Sequence, residues 1–142
     1  MEKTQEQLNQ EKMEQERVSQ IKALLDNFEK APTVAQVDQW KAIHGEVLMS
    51  ALSETELYLF RPVRRFEYRQ IQQEMTKLQE SGQQVDESSY QEMLCQLVVL
   101  WKSEDTEWSK TKAGTLTTLT EQVHQHSNFY SAQTASMLVI KL

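Results

Sequence analysis

A mainly α (α+β) fold is predicted for this chain: a long N-terminal helix, a short β-hairpin, then a small helical bundle. Apolar residues recur at helical steps of three and four along most of the sequence. Only 3 Gly and 2 Pro interrupt 142 residues, and a hydrophobic fraction of 39% suits helices with large exposed faces. The period changes at Pro62. Before it, Leu57-Tyr58-Leu59-Phe60 is apolar and aromatic enough for a strand; after it, Tyr68, Ile71, Met75 and Leu78 share one helical face.

Residues 1–30 read as a Glu/Gln-rich helical arm, and residues 31–142 as one small domain with a hairpin near 46–61. In the arm, Leu8, Met13 and Val18 are too sparse for a core, but Val18, Ile21, Leu25 and Phe28 fall at steps of three, four and three. One long helix with an apolar stripe in its second half follows, ended by Ala31-Pro32. Thr33 with Gln36 forms a capping-box pattern for a short helix carrying Val34, Val37, Trp40 and Ile43, which Gly45 terminates. Glu46 to Leu52 then pairs antiparallel with Leu57 to Phe60. Ser53 and Glu56 also fit a capping box, but a helix opened there would meet Pro62 after barely two turns.

Pro62 lacks the N–H a ladder needs, so the strand ends at Arg61 and a helix runs from there to about Ser81, with Gly82 as its C-cap. The polar loop Gln83 to Glu87 leads to Ser88, whose partner Gln91 again fits a capping box. Tyr90, Leu94, Leu97 and Trp101, widened by Met93 and Leu100, make residues 90–101 the expected core helix, with Leu97 and Trp101 inside. After a polar loop through Lys110, Leu116, Leu119 and Val123 mark a short helix that Ser127-Asn128 breaks. Met137 to Leu142 fits helix or strand equally, because four consecutive apolar residues carry no period.

Composition narrows the chemistry. Fifteen basic against twenty-one acidic residues give a net charge of -6, which opposes binding to a phosphate backbone or an anionic lipid surface, so nucleic acid and membrane are not expected as partners. The single cysteine, Cys95, lies in an apolar helical run and reads as a core thiol suited to a reducing compartment. No transmembrane-length apolar run or signal-peptide pattern is present, so a cytosolic product is expected. His124 and His126, two apart, point to different sides of a helix, and no arrangement with His44 or Cys95 has zinc spacing; no metal or cofactor is expected. There is no nucleophile elbow, phosphate-cradling loop or dinucleotide fingerprint. Acidic pairs such as Glu54 with Glu56 and Glu104 with Asp105 read as solvated loop carboxylates, so no enzyme is expected.

Arg61, Arg64, Arg65 and Arg69 form the one basic group, where the strand hands over to the helix. Two fates suit it. The arginines lie on a solvated face, with Arg61 or Arg69 paired to Glu67, or they meet acidic groups on a partner through bidentate contacts.

The order of these features resembles small bacteriophage tail proteins of the tail-assembly-chaperone type. The matching pieces are Trp40-Lys41 running into Gly45, then Tyr58-Leu59-Phe60-Arg61-Pro62, then Arg65-Phe66-Glu67-Tyr68 opening a helix. Further on come Lys112-Ala113-Gly114, then Leu116, Leu119 and Val123, then Ser127-Asn128-Phe129, with Asn128 where glycine is expected. The similarity spans roughly residues 34–130. It implies a non-catalytic protein made in the host cytoplasm that shields a tail component during assembly or stays in the virion as a small tail or baseplate subunit. Partners would be other tail or virion proteins or further copies of the chain, contacted through Val18, Ile21, Leu25 and Phe28 on the arm and Arg61, Arg64 and Arg65 at the corner. The alternative is a phage-encoded regulator that binds and inhibits a host protein through its acidic surface.

Overall fold

The computed structural model describes residues 2–104 and 106–142; the side chain of Ile21 also lies outside the described residues. Helix α1 (Gln5–Leu25) opens on a capping box: Thr4 Oγ1 accepts from the Gln7 N–H at 3.2 Å, and Gln7 Oε1 accepts from the Thr4 N–H at 3.0 Å. Residues 2–20 are exposed throughout. The expected single helix to residue 30 is shorter. Asp26 and Asn27, whose side chains compete for local backbone groups, end it at Leu25, so Phe28 sits in the turn beyond and off the helical stripe.

Helix α2 (Val34–His44) is capped by Thr33 Oγ1 accepting from the Gln36 N–H, which is the forward half of the expected box, and it stops where Gly45 takes φ 86°. Only Val37, Trp40 and His44 on it are half-buried, so Val34 and Ile43 stand in solvent.

Strands β1 (Leu48–Ala51) and β2 (Leu57–Phe60) form the expected hairpin, with Leu48 opposite Phe60 and Ala51 opposite Leu57. A third strand, β3 (Val99–Lys102), pairs antiparallel on the other edge of β2, in the order β1-β2-β3. This corrects the expected core helix over 90–101: the helix, α4 (Glu87–Val98), turns extended at Val99 (φ -77°, ψ 116°). All four residues of β2 are buried, so its backbone groups need ladder partners in place of water, and the apolar run Val99-Leu100-Trp101 supplies them on the edge that β1 leaves open. Backbone bonds from Arg61 N to Val98 O (3.1 Å) and from Ser103 N to Leu57 O (2.9 Å) extend this pairing at both ends.

Helix α3 (Arg65–Glu80) ends in a Schellman motif at Gly82 (φ 90°), where Gln83 N donates to Leu78 O and Gly82 N to Gln79 O. The cap of α4 is Asp86 rather than Ser88: Asp86 Oδ1 accepts from the Ser89 N–H at 3.0 Å. The glutamine of the expected box, Gln91, is instead buried, its side-chain oxygen accepting from Thr117 at 3.4 Å. A 3₁₀ turn (Trp108–Lys110) precedes α5 (Thr115–His126). Asn128 takes φ 68° just after α5, and Phe129 N reaches back to His124 O at 3.0 Å. Asparagine, which tolerates the left-handed region, thus does the work of the expected glycine. Helix α6 (Ala132–Met137) follows, so of the segment 137–142 left open between helix and strand Met137 is helical and residues 138–142 are neither.

The core lies where α3, α4 and α5 cover the sheet. Phe60, Val63, Ile71, Leu94, Val98 and Val123 form its main cluster, with Tyr58, Cys95 and Leu119 as a second. Each fully buried Leu or Val contributes on the order of 1.5–3 kcal/mol. Leu97 and Trp101 are not in it. Leu97 points outward from α4, and Trp101, carried onto β3, is half-buried.

Candidate interaction surfaces

The arginine corner separates into a buried and an exposed part. Arg61, at the end of β2, turns inward and is 7% exposed; its Nη1 and Nη2 donate to the two carboxylate oxygens of Glu67 at 2.8 and 2.7 Å. Glu67 Oε1 also accepts from the Arg64 N–H at 3.1 Å, which satisfies a donor at the start of α3. The hydrogen bonds from Arg61, with burial opposing them, hold the Glu67 carboxyl below the usual range. Further bonds from Arg61 reach Pro62 O and Leu97 O. Arg61 therefore ties β2, α3 and the end of α4 together. Arg61, expected at the contact corner, thus lies inside the fold with both terminal guanidinium nitrogens engaged by its own chain.

Arg64, Arg65 and Arg69 are exposed, and none makes an ion pair among the described residues. Arg64 donates to His44 O at 3.2 Å and so caps the last turn of α2, a use of arginine suited to the negative end of a helix. Arg65 and Arg69 flank Phe66, which is 61% exposed, and a shallow depression runs among these side chains and Gln70 and Gln73. An uncovered aromatic ring set among arginines has the composition of an interface centre.

The arm residues divide as well. Val18 is exposed, Leu25 half-buried, and Phe28 packs edge-on against Trp101 at 6.0 Å between ring centroids, where the arm meets β3. Phe28 thus fastens the base of the arm to the body, while α1 projects.

One exposed surface went unread in the sequence. Met137, Leu138, Val139 and Ile140 are each 63–78% exposed. The signal was the lack of charge over four apolar residues, but without a period it named no face.

The histidines and loop acids are mostly structural. His124 shares a 2.6 Å hydrogen bond with the Tyr90 hydroxyl beneath Phe129, and burial lowers its pKa. His44 is lowered by burial and then by Arg61. Glu56, expected in solvent, is buried and pairs with Lys112 at 3.1 Å, whereas Asp105 lies outside the described residues. Cys95 is enclosed against Thr120, and burial pushes its thiol up to about 11. Among the described residues no three His, Cys, Asp or Glu side chains converge as metal ligands, and no helix is long and apolar enough to cross a membrane. The chain matches no protein-family model, no curated protein and no solved structure.

Proposed function

We propose that this chain is a non-enzymatic bacteriophage tail-assembly protein, a tail assembly chaperone or a small tail or baseplate subunit, that works by protein–protein contacts. The observation that carries the contact role is apolar surface left bare on segments that leave the body: Leu138, Val139 and Ile140 at 63%, 75% and 78% exposure, and Val18 on α1 at 44%. Isolated exposed apolar residues are ordinary on a soluble protein, but a contiguous uncharged run is a surface that another polypeptide gains by covering. The phage assignment rests on the resemblance carried by Trp40-Lys41, Tyr58 to Pro62 and Arg65 to Tyr68. Both fates place the chain in the host cytoplasm during assembly, and a structural subunit then stays in the virion tail.

Quantitative mass spectrometry of purified particles and of infected-cell lysate tests it. A fixed copy number per particle identifies a subunit. Co-purification with a tail protein in lysate, with absence from particles, identifies a chaperone. Capture of a host protein alone, released by salt, refutes both and leaves the inhibitor of a host protein.

A further inference from the structure

We propose that the basic face of α3 is the receptor for helix α1 of a second copy of this chain. The proposal rests on the reading of the chain as an assembly protein and names one of its partners. Charge complementarity carries it. On α3, Arg65 and Arg69 stand on either side of exposed Phe66 with no ion pair among the described residues, in a chain of net charge -6. On α1, the surface around Val18 is lined by Glu11, Glu14, Gln15 and Ser19. Helical spacing explains the match: Glu14 and Glu11 lie one and two turns before Val18 on its own face, whereas Lys12 and Arg17 point roughly 100° or more away. Glu11 has only an exposed pair with Lys3, which water screens, and Glu14 makes no ion pair among the described residues.

The two faces are alike in kind and opposite in sign, each an exposed apolar side chain with two like charges beside it. Docked helix on helix, Val18 meets Phe66 while Arg65 and Arg69 take the two carboxylates with bidentate geometry. Length permits it. At 21 residues α1 spans about 31 Å, longer than α3, and its exposed face has no cover within its own chain over residues 2–20. Because the donor helix and the receptor face are different patches, docking builds a reciprocal two-fold dimer or a head-to-tail assembly, a ring where the rotation closes and a filament where it does not.

The test uses the purified full chain in sedimentation velocity over a range of concentrations, at about 50 mM and about 500 mM salt, since exposed charges are screened at the higher value. Wild type is expected to self-associate at low salt and to weaken at least tenfold at high salt. Arg65→Glu with Arg69→Glu, and Glu11→Lys with Glu14→Lys, are each expected to be monomeric with an unchanged circular dichroism spectrum, all four positions being exposed. Mixing the two variants is expected to restore a complex, because the Lys-bearing α1 of one meets the Glu-bearing α3 of the other with the charges exchanged, while the unaltered α1 and the unaltered α3 keep the wild-type match. A wild type that stays monomeric at every concentration, variants that associate like wild type, or a mixture that forms nothing overturns the proposal. Particle mass spectrometry reads the assembly role separately: a chain found in particles yet monomeric alone sinks the self-docking and leaves that role standing.

Discussion

Replacing Glu67 by glutamine should cost more stability than any other single surface-neutral change in this chain. Glu67 and Arg61 have side chains 11% and 9% exposed and share two hydrogen bonds of 2.8 and 2.7 Å. Glutamine keeps the size but removes the charge, leaving the Arg61 guanidinium enclosed without a counter-charge. Breaking a buried pair from one side costs about 3–5 kcal/mol, a large part of the 5–15 kcal/mol that holds a typical domain folded. With a urea dependence of about 2 kcal/mol per molar, the midpoint should fall by about 2 M. Arg61→Met combined with Glu67→Leu removes both charges and should cost less than Glu67→Gln alone, although the Arg64 N–H then loses its acceptor. A double-mutant cycle in urea therefore gives a coupling of at least about 2 kcal/mol. A loss under about 1 kcal/mol for Glu67→Gln, or a double variant equal to the sum of its singles, would refute a pair that holds the corner.

The same pair should set part of the acid limb. Folding lowers the Glu67 pKa, chiefly through its hydrogen bonds from Arg61, so its stabilisation is complete above the unfolded carboxyl's ordinary value and is lost as pH falls through the lower folded value; Glu67→Gln should flatten that loss in urea melts below about pH 4.5. Leu94→Ala should cost about 2–5 kcal/mol, whereas Leu97→Ala, on the outer side of the same helix, should stay under about 1 kcal/mol in the same melts. Asn128→Gly should be neutral or slightly stabilising, and Asn128→Val should cost about 1–2 kcal/mol, because its φ of 68° suits glycine and opposes a β-branched side chain. Cys95, buried with its thiol pushed up to about 11, should resist an aromatic disulfide reagent in the native protein at mildly alkaline pH and react promptly in urea; fast native reaction would place it at the surface.

Most of the backbone was legible because local chemistry and tertiary demand agree there. Pro62 stops a strand and precedes a helix whichever partners surround it, and Gly45 and Gly82 end helices by taking φ values of 86° and 90°. β3 was not legible by period. Val98-Val99-Leu100-Trp101 is apolar all round, so it continues a helical stripe as readily as it forms a strand, and the choice is made by the second edge of β2. The clue lay elsewhere, in β2 itself: four consecutive apolar residues without alternation describe a strand buried on both faces, and a strand so shut off from water needs backbone partners on both edges, one more than a two-stranded hairpin provides. Similarly, Asp86-Glu87-Ser88-Ser89 offers two starts to α4, and spacing alone does not rank Asp86 over Ser88.

The missed strand also explains why, of the two fates open to it, Arg61 takes the pairing with Glu67. Were residues 90–101 one helix, Arg61 would follow a two-stranded hairpin and face solvent with its neighbours. Because α4 turns into β3 at Val99, the end of the helix is brought against the end of β2, and Arg61 N bonds Val98 O while its side chain reaches Leu97 O and Glu67. Glu67 in turn fixes the first turn of α3 through the Arg64 N–H. The buried arginine thus orients the helix that displays Arg65, Phe66 and Arg69, so loosening the pair should disturb that display even though neither partner touches what docks there. A Glu67→Gln chain kept folded by low temperature should therefore self-associate more weakly than wild type, whereas equal association would show that the exposed face is set by α3 alone.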